Sequence, residues 1–453
     1  MPKKKTALTI EERLQQALVP AEEQPYEVPE NWVWVRLGAI AEIVTGGTPS
    51  KKHPEYYGGN FPFYKPSDLD QGRLTYDASE YLSEEGKNVS RIIPKNSTAV
   101  CCIGSIGKCG YLMCEGTTNQ QINSAIPKIN SLCLYYYLCT ENFVQDLLSM
   151  ASATTIAIVN KSKMESCAFP LPPLSEQQRI VERIEELLAK LDEAKERLQE
   201  VADSFAVRKA AILHNAFTGE LTKQWRWENG VSYESWEEKK GEDFFEYVTS
   251  GSRGWAKYYS DKGSIFIRMG NLNHGTIELD FSDIQYVELP DQVEGQRSKL
   301  QKNDILISIT ADVGMIALVR EDMDAYINQH VALARPKNDL YAEFLAWYFV
   351  SDDGLQQMQN KQRGATKIGL GLQDIRSIIL KIPTLPEQHE IVRLIDDLLA
   401  RERAAQQAAE QALASIDLMK KSILARAFRG ELGTNKASEA SALELLKQVL
   451  AEN

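Results

Sequence analysis

Apolar residues recur with helical spacing in two distant stretches of the chain. From Ile180 to Phe205 they fall at alternating intervals of four and three residues, the spacing of a helix that packs lengthwise against another helix. The second stretch begins in the same way and then places small residues at the seam. We expect an antiparallel helix pair, the alternative being two helices that pack separately in one globule. The predicted seam residues are Ile180, Ile184, Leu187, Leu191, Leu198, Phe205, Ile391, Ile395, Leu398 and Ile416.

The two helical stretches are copies of one another. Residues 172–221 align without a gap to residues 383–432 at a constant offset of 211, and 20 of these 50 positions are identical. A repeat of this length indicates an internal duplication of the chain.

Local signals predict where the repeated helices begin and end. Ser175 followed by Gln178 fits a capping box, and Pro386 suits a first helical turn. Gly219 and Gly430 are natural stop signals. We therefore expect one long helix over residues 176–218 and a second like it in the other copy.

The segments between the helices carry strand patterns. Short β-branched or aromatic runs alternate with Gly, Pro and Asn, and residues 99–103 and 305–309 are the clearest strands. The predicted fold class is α+β: two mixed α/β domains separated by two long antiparallel, coiled-coil-like helices, with a pseudo-two-fold internal duplication. The predicted divisions are an N-terminal segment (1–29), domain 1 (30–170), a central helix (171–222), a connector (223–241), domain 2 (242–381), a distal helix (382–433) and a C-terminal tail helix (434–453).

The duplication itself suggests a class of partner. One chain with two similar halves acquires the pseudo-symmetry of a dimer, and symmetric proteins read DNA half-sites about one helical turn apart. Halves that have diverged would read two different half-sites.

Charge weakens a DNA-binding interpretation without excluding it. The net charge is −12; residues 30–170 carry 12 basic and 13 acidic side chains, and residues 242–382 carry 15 and 20. Any DNA contact must therefore come from local clusters of Lys and Arg.

Residues suited to reading base edges or binding phosphate gather at turns that match between the two halves. A solvated loop charge or a structural amide is at least as common for any one of them, and we expect about half to touch DNA. Because Asn119 and Asn328 recur in both halves, we expect them to tie neighbouring strands instead. The candidates are Thr45, Lys51, Lys52, Lys65, Lys108, Gln120, Gln121, Asn160, Lys161, Lys163, Ser252, Arg253, Arg268, Asn271, Gln329, His330, Arg363 and Lys367.

Motifs for catalysis, cofactors and metals are missing. Residues 104–109 lack the spacing and the hydroxyl of a phosphate loop, and none of the five histidines falls into a metal or triad pattern. The seven cysteines, all between Cys101 and Cys167, fit ordinary buried thiols. Without a signal peptide or a membrane span, we expect a soluble, cytoplasmic protein.

These features together resemble the specificity subunits of type I restriction–modification systems. The resemblance lies in Pro-Leu-Pro-Pro-Leu-Ser-Glu-Gln-Gln-Arg-Ile-Val at residues 170–181, its second copy at 382–392, and Ala-Phe-Arg-Gly-Glu-Leu at 427–432. Residues 219–225, Gly-Glu-Leu-Thr-Lys-Gln-Trp, resemble the K-type subgroup. The resemblance to the family extends over nearly the whole chain.

The resemblance implies a non-catalytic subunit that reads a bipartite, asymmetric double-stranded DNA target. It implies that the two mixed α/β domains are target-recognition domains, each reading one half of that target. It also implies two docked adenine methyltransferase subunits, which use S-adenosylmethionine, and motor–nuclease (restriction) subunits, which use ATP and magnesium. Two other hypotheses remain: a coiled-coil adaptor that binds only proteins, and a self-sufficient DNA-modifying enzyme.

Overall fold

The computed structural model describes residues 9–152, 157–290, 296–363 and 369–452. They divide into two compact units: unit 1 comprises Met1–Leu198 and Gln411–Asn453, and unit 2 comprises Gln199–Glu410. Each unit has its own hydrophobic core, and the two cores are built in the same way.

Unit 1 contains an antiparallel four-stranded sheet with the order Ala41–Thr45, Ile122–Pro127, Thr98–Cys101, Cys109–Tyr111. A second sheet has the order Glu80–Leu82, Tyr57–Tyr64, Thr117–Thr118, the last pair being parallel. Val33–Arg36 pairs with Ala168–Leu171. The helices outside the repeat are Ile10–Ala17, Leu37–Ile40, Glu84–Asn88, Ser131–Leu138, Glu141–Met150, Lys161–Ser166 and Ala442–Ala451.

Unit 2 repeats this plan. Its main sheet has the order Phe245–Ser250, Val331–Pro336, Ile305–Ser308, Ile316–Leu318, and its second sheet the order Tyr259–Ser260, Tyr286–Val287, Ser264–Ile267, Ala325–Ile327. Glu237–Lys240 pairs with Ile379–Ile382. The helices outside the repeat are Lys223–Asn229, Gly241–Phe244, Ala342–Val350, Asp352–Asn360 and Leu372–Arg376. The predicted α+β fold class, duplicated in one chain, is confirmed.

The repeated helices differ in continuity. The distal helix is unbroken over Leu385–Ala427, whereas the central helix runs from Leu174 to Asp203 and resumes over Phe205–Phe217. Ser204 keeps the helical bonds from its N to Glu200 O and from Arg208 N to its O, each at 3.0 Å, so the predicted long central helix is confirmed with this one-residue interruption. At the break, the Ser204 hydroxyl donates to the Val201 carbonyl at 3.1 Å, a local bond that competes with helical bonding.

The predicted end signals are correct except at one start. Pro386 lies in the first turn of the distal helix, and Gly219 and Gly430 follow the helix ends with positive φ of 80° and 74°. The capping box at Ser175 is wrong, because the central helix already begins at Leu174 and Ser175 lies within its first turn.

Within each unit the helices run antiparallel. In unit 1, Arg179 contacts Glu439 and Asp192 contacts Lys420, so one partner rises in number as the other falls. In unit 2 the same order appears, with Arg208 against Glu402 and Arg226 against Glu387.

The predicted seam residues fall into two groups by burial. Ile180 and Ile184 belong to the core of unit 1, and Ile391 and Ile395 to that of unit 2, so their burial is shared with the globular domains. Ile416 is also buried. The other predicted seam residues are half-buried: Leu187, Leu191, Leu198, Phe205 and Leu398.

Both ends of the described chain complete unit 1. Ala442 and Leu446, on the helix Ala442–Ala451, are fully buried in its core, and Ala442 N donates to Asn31 O at 2.9 Å. The Arg13 guanidinium donates to Leu450 O at 3.2 Å. Across the described residues, none of the helices has the length and apolar character needed to cross a membrane.

Candidate nucleic-acid interface

The loops at one end of each main sheet converge through backbone hydrogen bonds. In unit 1, Gly47 N donates to Thr118 O at 2.8 Å, and Cys102 N donates to Gln121 O at 2.7 Å. Val159 N then donates to Cys102 O at 2.9 Å. We call these loops the turn cluster of unit 1; it comprises residues 46–53, 65–68, 104–108, 119–121 and 157–160.

Unit 2 forms the same arrangement. Ile309 N donates to His330 O and Leu370 N donates to Ile309 O, each at 2.9 Å, and Asn328 N donates to Ile267 O at 3.0 Å. The turn cluster of unit 2 comprises residues 251–254, 268–271, 311–314, 328–330 and 369–371. The matched turns found in the sequence therefore meet in space within each unit.

A glycine permits the closest approach in each cluster. A Cβ on Gly46 would lie 2.2 Å from Asn119 O, and one on Gly251 would lie 1.9 Å from Ile327 O. Neither distance is possible for a real side chain, so both loops need glycine for close backbone contact.

Asn119 and Asn328 shape their own loops. Asn119 Oδ1 accepts from Gln121 N, and Asn328 Oδ1 accepts from His330 N, both at 3.0 Å. These side chains close a local turn, whereas the backbone N–H groups of the two asparagines contact the neighbouring strands. Of the two side chains that follow, the first is glutamine in both clusters, Gln120 and Gln329, whereas the second differs, being Gln121 in unit 1 and His330 in unit 2.

Both unpaired and paired cations lie in or beside the clusters. In the described part of the chain, Lys51, Lys52, Lys163 and Arg253 form no ion pair, and all but Lys163 are exposed. By contrast, Lys108 Nζ lies 2.7 Å from Asp70 Oδ1. Unpaired surface cations are suited to phosphate oxygens, which carry no sequence information.

The matched basic residues Lys65 and Arg268 are each paired with a carboxylate. Lys65 Nζ lies 2.9 Å from Glu80 Oε2, and Arg268 NH2 lies 2.8 Å from Asp283 Oδ2. Neither acid was among the residues predicted from the sequence, although both follow their basic partner by 15 residues. That equal spacing was the signal available.

Several other predicted residues have structural bonds. The Asn271 side chain is buried and contacts only backbone, through Arg268 N, Asp280 O and Asp283 O. Asn160 Oδ1 caps the helix Lys161–Ser166, and Thr45 Oγ1 donates to Asn123 Oδ1 at 2.7 Å. These residues hold the loops in shape.

The remaining predicted residues lie on or beside the clusters. Lys161 is exposed and lies 3.6 Å from Glu165, and Arg363 is exposed and pairs with Asp374 at 2.9 Å. The backbone of Ser252 pairs with that of Asn328 in an isolated parallel β-bridge. Lys367 lies outside the described residues.

The thiols beside the unit 1 cluster are poor nucleophiles. Burial raises the pKa of the Cys102 thiol to about 12 and also raises that of Cys101, so both stay protonated at neutral pH. Five of the seven cysteines are buried, in keeping with ordinary core thiols. The clusters thus present amides, hydroxyls and cations, groups suited to binding.

A family model described as the type I restriction modification DNA specificity domain matches residues 29–203 and 233–412. The two matches together cover most of the chain, one in each half. The chain belongs to this family. It is a type I restriction–modification specificity subunit with two DNA specificity domains.

Curated relatives place the specificity subunit in the K-type subgroup. It is 28% identical to the EcoBI specificity subunit of Escherichia coli, with 94% of this chain and 93% of that protein aligned. It is 24% identical to the EcoKI specificity subunit of Escherichia coli strain K12, over 94% and 96%. The HsdS subunit from Thermoanaerobacter tengcongensis shares its fold, with a TM-score of 0.66, 19% identity, and coverage of 90% and 99%.

Proposed function

We propose that each turn cluster reads one half of a bipartite, asymmetric DNA target. The observation that carries the proposal is a common framework with different side chains. Both clusters use the same backbone contacts, yet Gln121 in one corresponds to His330 in the other, and Lys65 in one corresponds to Arg268 in the other. Amides and imidazoles can discriminate base edges in the major groove, so the two clusters would prefer different bases.

Unpaired cations near the clusters would bind the backbone of the same duplex. Lys51, Lys52 and Lys163 in unit 1 and Arg253 in unit 2 are available for phosphates. The net charge of −12 limits how much phosphate this chain can neutralise, so partner subunits would supply the rest.

We propose that the chain is itself non-catalytic. The buried, protonated thiols and the absence of a recognisable cofactor motif support this. S-adenosylmethionine would be bound by methyltransferase partners, and ATP and magnesium by motor–nuclease partners.

The repeated helices provide two equivalent docking positions for the methyltransferase subunits. Val207 is 71% exposed and its counterpart Leu418, 211 residues further on, is 68% exposed. Leu174 and Leu385, at the same offset, are 57% and 40% exposed. Large apolar side chains exposed at corresponding positions fit two copies of one partner, because duplicated surfaces offer near-equivalent sites.

The docking proposal is tested by native mass measurement of the complex co-expressed with its methyltransferase. The wild-type chain is expected to carry two copies. Val207→Asp or Leu418→Asp alone should leave one copy, and the double variant none. Substitutions of two exposed lysines on the same helices, Lys195 and Lys421, serve as controls. A single copy on the wild-type chain at saturating partner would contradict the proposal.

DNA reading is tested by selection from a random-site duplex library with the purified complex. A specificity subunit should enrich two short motifs separated by a fixed gap. A coiled-coil adaptor that binds only proteins should enrich none. Incubation of the lone chain with labelled S-adenosylmethionine and the selected DNA should transfer no methyl group; transfer would show that the chain is an enzyme.

A further inference from the structure

An ion pair between a basic and an acidic side chain occupies the same place beside both turn clusters. Lys65 and Arg268 each directly follow a strand, Tyr57–Tyr64 and Ser264–Ile267 respectively. Their partners, Glu80 and Asp283, lie 15 residues further on in each unit, at 2.9 Å and 2.8 Å. Lys has become Arg and Glu has become Asp, yet the pairing is retained.

A buried polar side chain ties the two members of each pair together. Asp68 Oδ2 accepts from Lys65 N at 2.7 Å, and its Oδ1 accepts from Ser79 N, the residue before Glu80. In unit 2, Asn271 Oδ1 accepts from Arg268 N at 2.9 Å, and its amide donates to Asp283 O at 2.9 Å. These hydrogen bonds to the backbone therefore hold the acidic residue beside the basic residue, whether or not the ion pair forms.

The pairs are also accessible to solvent. The side chains of Lys65 and Glu80 are 37% and 32% exposed, and those of Arg268 and Asp283 are 30% and 84% exposed. Ion pairs this exposed are weak, so a phosphate or the edge of a nucleobase can displace the carboxylate from the Lys or Arg side chain. A fixed carboxylate then remains close to the DNA backbone and repels it.

We propose that Glu80 and Asp283 are specificity-determining residues that mask Lys65 and Arg268 from the phosphates of non-target DNA. The proposal rests on the function proposed above. On a target sequence, a nucleobase edge that accepts a hydrogen bond from Lys65 or Arg268 compensates for the cost of displacing the carboxylate. On other sequences nothing offsets that cost, so the acid lowers non-specific affinity more than target affinity.

The experiment uses the full chain in complex with its methyltransferase. Glu80→Gln, Asp283→Asn and the double variant are titrated with target and scrambled duplexes over a series of salt concentrations, and their melting temperatures are measured. Glu85→Gln and Asp261→Asn remove equal charge from exposed acids that form no ion pair in the described part of the chain. Adding Lys65→Met to Glu80→Gln tests whether the effect passes through the lysine.

Each single variant should bind scrambled DNA roughly 3- to 10-fold more tightly at low salt, with a salt slope steeper by about one unit. Target affinity should rise less, so discrimination falls, and the two control variants should leave it unchanged. Lys65→Met should cancel the gain produced by Glu80→Gln.

Three results would overturn the masking role. If target affinity fell with no gain in affinity for scrambled DNA, Glu80 and Asp283 would merely position Lys65 and Arg268. If the controls produced the same gain, overall charge would explain it. If target binding were normal and discrimination unchanged in every variant, the acids would have no part in specificity while the proposed function stood. A wild-type complex that bound no sequence preferentially would refute both.

Discussion

Glu176 and Glu387, 211 residues apart, are both fully buried, and each carboxylate accepts from a tryptophan indole and a threonine hydroxyl. Glu176 accepts from Trp32 at 2.8 Å and from Thr434 at 3.2 Å. Glu387 accepts from Trp236 at 3.1 Å and from Thr222 at 2.7 Å. In each unit this carboxylate joins the first turn of one repeated helix to the segment that follows the other.

The two sites differ in one donor, which predicts different costs of mutation. Glu387 also pairs at 2.7 Å with the buried Arg226, whereas the further donor to Glu176 is the neutral Asn435. Glu387→Gln should cost about 3–5 kcal/mol because it leaves a buried cation unpaired. Glu176→Gln should cost about 1–2 kcal/mol, since it weakens only hydrogen bonds. Urea unfolding followed by tryptophan fluorescence measures both, and equal losses would contradict the distinction.

Two neighbouring residues of the distal helix should respond oppositely to truncation. Ile416 is 3% exposed and Leu418 is 68% exposed. Ile416→Ala should lower the free energy of unfolding by about 2–5 kcal/mol through lost burial and a cavity. Leu418→Ala should change it by less than about 0.5 kcal/mol. Thermal melting of the two variants side by side checks this; a large loss from Leu418→Ala would mean that its side chain is covered.

Adjacent glycines provide a matched test of the unit 1 turn cluster. Gly46→Ala would force a Cβ to within 2.2 Å of Asn119 O, whereas a Cβ on Gly47 meets nothing within 4 Å. Gly46→Ala should separate the loops, lowering target affinity at least tenfold, about 1.4 kcal/mol. Gly47→Ala should bind normally. The measurement is DNA affinity of the complex, and equal affinity of the two variants would exclude the close approach as a requirement.

Replacing residues 30–170 with the corresponding domain of another specificity subunit should change one half of the selected target and leave the other half intact. The expectation follows from separate cores in units 1 and 2. Mapping methylated sites in cells that carry the hybrid gives the answer. A change in both half-sites, or in neither, would show that the two domains do not read independently.

The architecture was predictable because its signals are local or repeated. Pro386, Gly219 and Gly430 mark helix ends through their own backbone preferences, and the gapless repeat indicates duplication directly. The break at Ser204 was not predictable, because the apolar spacing continues through Val201 and Phe205. It depends on a side-chain hydrogen bond that periodicity does not report.

The candidate site was predictable only in part, because a sequence shows residue types without showing their partners. The sequence indicated which turns match between the two halves, and the structure brings these turns together in each unit. That Asn271 is buried and that Lys65 and Arg268 are paired depends on how the chain returns after 9 to 15 residues. Loop length alone does not determine that return, so the masking acids emerged from the structure.

Unit 1 is built from two separate segments of the chain, and this affects how the chain folds as it leaves the ribosome. Unit 2 ends at Glu410, so all of its residues have been synthesised while Gln411–Asn453 of unit 1 are still to be added. Ala442 and Leu446, fully buried in unit 1, are made after every residue of unit 2. Because domains fold as units during synthesis, the domain that emerges first is completed last. Until then its apolar core lacks a helix and stays open to chaperones and proteases.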